Sequence, residues 1–573
     1  MQITIDHITI DVAEGMTVMQ AAEQAGISIP SMCYLPGHSN HPSCMVCLVK
    51  DLDKGGMFPS CAMSVQEGMH LSASSEEVME ARKEALELLL SDHVGDCEAP
   101  CRLSCPAFMN IPLMNRLIAE DKVEEALHLV REEIALPLVL GYICPAPCEK
   151  ACRRKSIDQP VSICLLKRYT AMDENIRKTG LEPHLHKSGK RVAVIGTGPA
   201  GLSAAYYTLK MGHDCTLFDK QEKAGGALRY SIPDDLLPKE MLDADIESIR
   251  MLGGEFRLNY PITAEVWEKE ILTGFDAVIL ATGFREENSA DAFNLPLLET
   301  GSVIHKKNFT SGIPGVFGCG SIISEQLLAV RSAAQGKKAA MEADAFIKVE
   351  TELRRKPLFN SAFGPLKEEE KKEYMQEATS AGRTDPKAGY LNGFTKEEAI
   401  REAERCMHCD CRKPVSCKLR IFADEYGANR RRFAATERNL LTRNMQHEMV
   451  VYEPEKCIRC GLCIEIATKE GESLGLAFVG RGFDVRVTVP FGKSMKEGLE
   501  RAAQACVEGC PTGALASGPA DEWTSGPADQ RTSGQVNKRT SGPADQLRKV
   551  IRSGSQEVRR SGGQEIREGN NSE

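Results

Sequence analysis

Residues 192–219 read VAVIGTGPAGLSAAYYTLKMGHDCTLFD, and this stretch decides the fold of the middle of the chain. Its apolar first residues predict a strand, and Gly196, Gly198 and Gly201 form a GxGxxG turn directly before a helix-like segment. Asp219 ends the next predicted strand at the distance expected for a contact to a ribose hydroxyl. Because the glycines permit a tight turn and the close approach of a pyrophosphate to the helix N-terminus, the pattern predicts a dinucleotide-binding βαβ unit.

Further glycine motifs follow this unit. They are Gly225 and Gly226, the ATG at 281–283 and GIPGVFGCG at 312–320. Together the segments resemble the FAD domain of the glutamate synthase small subunit. The resemblance implies that FAD is bound by Gly196, Gly198, Pro199, Ala200, Gly201, Asp219, Lys220, Gly226, Ala281, Thr282, Gly283, Gly320 and Ser321.

Two departures from that family bear on function. In the family, a second dinucleotide-binding domain, the NADPH site, lies between the ATG segment and the last FAD segment, whereas here only Phe284 to Ser311 separates them. The chain has no second GxGxxG, so we expect that it does not transfer hydride from its own bound NAD(P)H. Ser321 also replaces the family's Asp beside the flavin, which is expected to alter the flavin potential.

The chain contains 22 cysteines, and their placement favours metal binding over disulfides. The first residues, MQITIDHITIDV, lack the basic start and apolar run of a signal peptide, so we expect a cytoplasmic protein whose thiols stay reduced. All but Cys164, Cys215 and Cys319 fall into five tight groups, whereas cysteines used only as small core residues would scatter.

The first group predicts a 2Fe-2S cluster. Its members are Cys33, Cys44, Cys47 and Cys61. A loop brings three thiolates together and a later strand end supplies the fourth. With the preceding strands, the group resembles the amino-terminal 2Fe-2S domain of the large iron–sulfur subunit of respiratory complex I and of related hydrogenases. Zinc is the alternative, but zinc sites usually have two Cys-x2-Cys pairs and only one is present here.

The second group offers enough ligands for two 4Fe-4S clusters. Its candidates are His93, Cys97, Cys101, Cys105, Cys144, Cys148, Cys152 and Cys164. The segments CEAPCRLSCPAFMNIPLMNRLI, ICPAPCEKACRR and QPVSICLLKRY resemble the helical domain of the glutamate synthase small subunit and of dihydropyrimidine dehydrogenase.

This resemblance implies that the ligands of the two clusters interleave. One cluster would draw on Cys97, Cys101 and Cys152, and the other on Cys105, Cys144 and Cys148. Each then lacks a fourth ligand. His93, placed as His-x3-Cys, is the substitute for one, with a purely structural histidine as the alternative. The family's other ligand position is Lys167, a poor cluster ligand, and Cys164 lies one helical turn earlier on the same face.

Two more cysteine groups lie near the carboxy-terminal end. Cys406, Cys409, Cys411 and Cys417 predict a 4Fe-4S cluster, with zinc as the alternative. Cys457, Cys460, Cys463 and Cys510, the last before a proline, resemble one cluster of a bacterial ferredoxin. Cys506 is left over and is expected to be a buried thiol.

These patterns predict a multidomain α/β and α+β protein. We expect a β-grasp 2Fe-2S ferredoxin-like domain (1–75), a helical domain with two 4Fe-4S clusters (76–187) and a Rossmann-like FAD domain (188–349). A connector with the 406–417 cysteines (350–447), a 4Fe-4S ferredoxin-like domain (448–516) and a disordered repeat tail (517–573) follow. The net charge of -10 gives no footprint for nucleic acid, and no apolar run reaches the roughly 20 residues of a membrane span.

The expected cofactors are FAD, one 2Fe-2S cluster and three to four 4Fe-4S clusters, which together carry electrons but do not select an organic substrate. The sequence therefore predicts an electron-transfer subunit of an anaerobic oxidoreductase complex, with no catalytic side chains of its own. Its expected partners are ferredoxin and redox subunits of the hydrogenase, formate dehydrogenase or NADH-oxidising flavoprotein type. The alternatives are a self-sufficient NAD(P)H-dependent reductase and a structural subunit that binds zinc.

Overall fold

The computed structural model describes residues 1–182, 186–283, 304–325, 328–349 and 358–518, with Phe293, Leu295, Pro296 and Leu298 between them. The predicted disordered tail lies outside the described residues from position 519 onward. Much of the short segment between Phe284 and Ser311 also lies outside them.

The amino-terminal residues fold into a β-grasp sheet. Its elements are β1 (Gln2–Ile5), β2 (Ile8–Asp11), α1 (Val18–Gln24), β3 (Leu48–Asp51), β4 (Met57–Pro59) and β5 (His70–Ser72). The strand order is β2-β1-β5-β3-β4, and β1 and β5 run parallel. Thr17 and Gln20 form a capping box that starts α1, which packs Val18 and Ala21 against Ile3 and Ile5. The predicted β-grasp domain is confirmed.

A run of helices follows. They are α2 (Glu76–Ser91), α3 (Pro100–Ser104), α4 (Ile111–Ala119), α5 (Val123–Glu133), α6 (Pro137–Ile143), α7 (Pro147–Ala151), α8 (Ile163–Met172) and α9 (Glu174–Lys178). Four of them start with a proline in the first turn, where its missing N–H costs no hydrogen bond: α3, α4, α6 and α7. Cys105, Cys144 and Cys152 each cap the end of a helix in extended conformation, so the thiols lie on the turns.

The Rossmann-like unit is a five-stranded parallel sheet. Its strands are β6 (Arg191–Ile195), β7 (Asp214–Phe218), β8 (Glu255–Arg257), β9 (Ala277–Leu280) and β10 (Val316–Gly318), in the order β10-β9-β6-β7-β8. Its helices are α10 (Pro199–Lys210), α11 (Ala227–Tyr230), α12 (Lys239–Met251), α13 (Ala264–Val266), α14 (Leu272–Gly274) and α15 (Ala329–Ile347). A Cβ at Gly336 of α15 would overlap the carbonyl oxygen of Ala200, so a glycine allows α15 to lie directly on α10.

The remaining elements are short. They are α16 (Glu368–Met375), α17 (Lys396–Ala403), α18 (Lys418–Glu425), β11 (Val450–Tyr452), α19 (Leu462–Lys469), β12 (Ala477–Val479), β13 (Arg486–Thr488), α20 (Met495–Gly498), α21 (Ala503–Gly509) and β14 (Leu515–Ser517). β11 pairs with β14 and β12 with β13, both antiparallel.

The chain divides into two compact units. The first unit comprises Met1–Gly95, Leu358–Ser361 and the described residues from Arg412 onward, and the second comprises the described residues of Asp96–Pro357 and Ala362–Cys411. The first therefore contains the β-grasp sheet, α2 and the carboxy-terminal cysteine domain, and the second contains α3 to α17 with the parallel sheet. In the part of the chain that is described, no helix combines the length and apolar character needed to cross a membrane.

Candidate redox centres

The four thiols of the first cysteine group meet at one place, the amino-terminal site (Cys33, Cys44, Cys47 and Cys61). All four are buried, and Cys33 Sγ lies 3.4 Å from Cys44 Sγ. Hydrogen bonds from the thiols of Cys44 and then Cys61 hold the pKa of Cys33 well below its usual range, and Cys61 does the same for Cys47. The side chain of Ser60 donates to the carbonyl oxygen of Cys47 at 2.8 Å and fixes the strand end. A buried, mutually contacting thiol set fits a 2Fe-2S cluster.

A second set forms the helical-domain site (Cys105, Cys144, Cys148 and Cys164). The thiol of Cys164 hydrogen-bonds with those of Cys144 and Cys148, and Lys167 interacts electrostatically with all four thiols. The backbone N–H of Cys164 donates to Glu149 Oε1 at 3.0 Å, which anchors the start of α8 beside α7. The structure thus brings Cys164 to the cysteines that the resemblance grouped together.

Lys167 is a buried cation at this site. Its Nζ donates to the carbonyl oxygen of Leu140 at 3.0 Å. Burial alone would lower the pKa of Lys167, but the neighbouring thiols, with Cys164 first, hold it above its usual value. The ammonium group therefore stays charged beside the thiols, and any cluster held there lies in a positive local field.

A third set lines one cavity of the second unit. The cysteines in its wall are Cys101, Cys152, Cys406 and Cys409. Cys101 interacts electrostatically with Cys406, Cys152 and Cys409, and Asn115 hydrogen-bonds to the thiol of Cys406. Cys406 and Cys409 therefore lie close to Cys101 and Cys152 of the helical domain, although the sequence groups them with Cys411 and Cys417.

The other members of the predicted groups are placed as follows. The backbone N–H of Cys411 donates to the carbonyl oxygen of Cys97 at 3.2 Å. Cys417 belongs to the first unit, where it packs in a hydrophobic cluster with Leu419 and Ala423. His93 also belongs to the first unit. Burial, with Lys456 and Arg430, lowers the pKa of His93 to about 3, and its buried Nδ1 has no hydrogen-bond partner among the described residues.

The carboxy-terminal site (Cys457, Cys460, Cys463 and Cys510) is also assembled. Cys463 interacts with Cys510, Cys457 and Cys460. Cys506 is fully buried beside it, and its thiol donates to the carbonyl oxygen of Cys463 at 3.4 Å. Cys460 also interacts electrostatically with Cys33 of the amino-terminal site.

Among the described residues, no three His, Cys, Asp or Glu side chains gather tightly enough to surround one metal ion. The four ligands of a single Zn²⁺ ion converge on one atom at about 2.3 Å for sulfur. Thiolates that hold a 4Fe-4S cluster bind four different irons and therefore lie farther apart. The spacing of the thiol sets therefore suits clusters rather than a single metal ion.

The glycine turn after β6 shapes a nucleotide cradle. A Cβ at Gly201 would overlap the carbonyl oxygen of Gly196, and Gly196 has a φ of +106°, so both glycines are required by the fold itself. A Cβ at Gly198 would meet no atom within 4 Å, so that position opens onto free space at the N-terminus of α10. Gly226, with a φ of +50°, approaches so closely that its Cβ would lie 2.9 Å from Gly198 Cα. This open cradle fits a pyrophosphate.

Asp219 is half-buried at the end of β7, and Lys220 after it is exposed. Asp219 Oδ2 accepts hydrogen bonds from the backbone N–H and the hydroxyl of Thr197, at 2.8 and 2.5 Å. Thr197 was not singled out by the sequence, although it occupies the first variable position of GxGxxG. It holds the carboxylate beside the glycine turn.

The remaining predicted nucleotide contacts lie at neighbouring strand ends. Ala281 follows β9, and its backbone N–H donates to Ile195 at 2.8 Å, which places the ATG segment beside the glycine turn. After β10, the backbone N–H of Gly320 donates to Gln335 Oε1 at 3.0 Å, and Ser321 lies in the same short 3-10 turn. Gln335 is a second residue that the motifs did not reveal.

Comparison with known families agrees with this architecture. Residues 1–76 match a 2Fe-2S iron–sulfur cluster binding domain, and residues 73–179 match domain II of dihydropyrimidine dehydrogenase, a 4Fe-4S cluster domain. Residues 194–244 match a NAD(P)-binding Rossmann-like domain. These matches describe iron–sulfur cluster domains followed by a Rossmann-like nucleotide-binding unit.

Three curated relatives make the similarity concrete. The beta subunit of an NADP(+)-dependent formate dehydrogenase from Moorella thermoacetica is 37% identical over 32% of this chain and 29% of its own length. The beta subunit of an NADPH-Fe(3+) oxidoreductase from Geobacter sulfurreducens is 36% identical over 32% of this chain and 28% of its own. The small chain of Bacillus subtilis glutamate synthase [NADPH] is 35% identical over 32% of this chain and 37% of its own. The predicted resemblance to that small chain is confirmed, and the aligned part is less than half of each relative.

Proposed function

We propose that this chain is an electron-transfer iron–sulfur flavoprotein subunit of an anaerobic, cytoplasmic oxidoreductase complex. It would pass electrons between partner redox subunits, or ferredoxin, through its clusters and one FAD. The substrate site would lie on a partner of the hydrogenase, formate dehydrogenase or NADH-oxidising flavoprotein type.

The observation that carries this proposal is the proximity of the amino-terminal and carboxy-terminal sites within the first unit. Cys460 packs against the hydrophobic cluster that contains Cys33 and Cys44. His41 Nε2 and Glu465 Oε1 are 3.1 Å apart, so the loop around the first thiol set is also tied to α19. Because electron transfer slows steeply with distance, two cluster sites that border the same hydrophobic cluster support conduction rather than separate structural roles.

The choice of FAD rests on the nucleotide cradle and on the short segment that follows it. Gly196, Gly198 and Gly201 supply one cradle, and the described residues contain one parallel sheet to carry it. Only Phe284 to Ser311 lies where the related family has its NADPH domain. A chain with one nucleotide fold and several cluster sites is suited to relaying electrons that a partner extracts.

The partner types are supported by the relatives' names. One relative is the beta subunit of an NADP(+)-dependent formate dehydrogenase, and another is the beta subunit of an NADPH-Fe(3+) oxidoreductase. Each is thus named as a subunit. A shared set of cluster domains is compatible with the same kind of assembly here.

A second candidate is a self-sufficient NAD(P)H-dependent reductase. It is favoured by the match of residues 194–244 to a family described as NAD(P)-binding. In that case the one Rossmann-like unit would hold the nicotinamide cofactor itself.

Rapid mixing under anaerobic conditions distinguishes the candidates. The purified chain is mixed with NADH, NADPH or reduced ferredoxin while the flavin absorbance near 450 nm is followed, on the order of one equivalent at a time. We expect reduced ferredoxin to bleach the flavin and both nicotinamides to leave it oxidised. Bleaching by either nicotinamide would instead establish the second candidate. Zinc in place of iron and labile sulfide in the purified chain would contradict both and assign a structural role.

A further inference from the structure

We propose that Cys101, Cys152, Cys406 and Cys409 together hold one 4Fe-4S cluster, the composite site. The helical domain supplies two thiolates and the segment after α17 supplies the other two. This deepens the proposed function, on which it rests, because it assigns a further relay position in the second unit.

The four residues come from three distant parts of the chain but face one cavity. Its remaining walls are mostly apolar or aliphatic, from residues such as Ile111, Pro112 and Val161. Cys101 interacts electrostatically with the other three cysteines, and the side-chain amide of Asn115 in the cavity wall donates to the sulfur of Cys406. A cage of four thiols with mostly apolar walls is an environment in which cluster ligation is favoured.

A buried ionic clamp fixes the segment after α17 against the helical domain. Arg154, two residues after Cys152, donates from Nη1 to the carbonyl oxygen of Arg405 at 3.2 Å. Arg405, immediately before Cys406, donates to Asp158 Oδ1 at 3.0 Å. Glu402 pairs with Arg405 at 2.9 Å and accepts the backbone N–H of Ser162 at 2.8 Å.

The clamp buries charged side chains, which costs desolvation free energy. Arg154 and Arg405 are 1% and 0% exposed, and buried charges are retained only where they are paired and hydrogen-bonded. Each arginine lies within two residues of a proposed ligand. The clamp therefore sets the distance between the cysteine pair of the helical domain and the pair after α17. Arg154, Arg405 and Glu402 are therefore positioning residues for the cage.

The ligand count also closes. The resemblance grouped Cys97, Cys101 and Cys152 and left that cluster one ligand short. Of these three, Cys101 and Cys152 line the cavity and Cys97 does not, so a four-thiolate cluster at the cavity needs two further ligands. Cys406 and Cys409 complete it with four thiolates and without a histidine. Among the described residues, the wall of the cavity does not include Cys97 or Cys411, which contact each other through the backbone instead.

Paired variants of the full chain, purified without oxygen, test the composite site. Cys101→Ala, Cys409→Ala and the double variant are compared by iron and labile-sulfide content and by EPR after dithionite reduction. We expect each single variant to lose about four irons and the same EPR signal, and the double variant to lose no more than either single one. Cys215→Ala, in the core of β7, is the matched control and keeps the full content. Additive losses, about eight irons in the double variant, would mean two separate clusters and overturn the inference.

Serine variants separate a ligand role from a folding defect. Serine preserves size and offers an oxygen ligand, so Cys101→Ser and Cys409→Ser should both change the g-values of one shared signal while flavin content stays at the wild-type level. Changes in two different signals would overturn the composite site and leave the proposed electron-transfer function standing. A wild-type chain with zinc and no iron would overturn both.

Discussion

Cys460 of the carboxy-terminal domain packs against the buried hydrophobic cluster of the first unit that contains Cys33 of the β-grasp domain. Burial and Cys510 raise the pKa of Cys460, and Cys33 makes a smaller electrostatic contribution in the same direction. The chain positions of Cys33 and Cys460 differ by more than 400 residues, yet the fold makes them neighbours. This packing brings together two sites that lie in separate segments of the sequence.

The packing of Cys460 against the hydrophobic cluster that contains Cys33 predicts magnetic coupling between the metal clusters at the two sites. When both are reduced, we expect the 2Fe-2S EPR signal to broaden and to relax faster than an isolated 2Fe-2S signal. Cys460→Ala should remove the carboxy-terminal cluster and restore a sharp, slowly relaxing spectrum. Identical 2Fe-2S spectra in the two proteins would show that the sites do not interact.

Lys167 predicts a raised reduction potential at the helical-domain site. A buried positive charge stabilises the more negative, reduced cluster, so Lys167→Met should lower the midpoint potential by roughly 60 mV or more, about 1.4 kcal/mol for one electron. Anaerobic EPR-monitored redox titration measures it. Lys178→Met on α9 is the control, because an exposed cation paired with Glu174 is screened by water. Equal midpoints in Lys167→Met and the wild type would refute the electrostatic role.

Substitutions of the second and third glycines of the GxGxxG turn should have different effects, one on FAD binding and the other on folding. Gly198→Ala places a methyl group in open space, so we expect normal folding but about tenfold weaker FAD binding, near 1.4 kcal/mol. Gly201→Ala collides with the Gly196 carbonyl oxygen and should destabilise the fold itself. Flavin content and thermal unfolding midpoint are measured together. Full flavin occupancy in Gly198→Ala would mean that the cofactor does not approach this turn.

Asp245 predicts a pH-dependent stability of the second unit. Its carboxylate accepts the backbone N–H of Val139 at 2.9 Å at the start of α6. Burial raises the pKa of Asp245 to about 7, from an ordinary 3.8. The folded state therefore binds a proton that the unfolded state releases, so the contribution of Asp245 to stability is lost as pH rises from about 4 to 7.

Asp245→Asn should remove this fall in the free energy of unfolding with rising pH. Between pH 5 and pH 8, the free energy of unfolding of the variant should therefore rise by roughly 2 kcal/mol relative to that of the wild type. Denaturant unfolding followed by the fluorescence of buried Trp267 reports on this unit. The exposed Asp235→Asn serves as the reference. A parallel pH dependence in Asp245→Asn and the wild type would contradict the assignment.

Local spacing made much of the architecture predictable. GxGxxG with Asp219, the four amino-terminal cysteines and alternating apolar strands are short-range patterns, and each corresponds to one compact element in the structure. Cys164 was a sequence candidate because helical periodicity places it on the same face as Lys167, and its role as a cluster ligand stays a prediction.

The composite site could not be predicted in this way. Cys409 and Cys101 are separated by about 300 positions, and their meeting depends on the buried Arg154 and Arg405 clamp. Sequence spacing groups Cys406 with Cys417, whereas the fold assigns these two residues to different compact units. Thr197 was missed for a related reason, since its hydroxyl gains a role only when β7 brings Asp219 beside it.

An anaerobic redox titration of the isolated chain, followed by absorbance and EPR, tests the central claim most directly. With dithionite as reductant, we predict the bleaching of flavin together with iron–sulfur absorbance, and the appearance of separate paramagnetic signals from reduced clusters. A colourless protein that stays without a paramagnetic signal after dithionite would contradict the account.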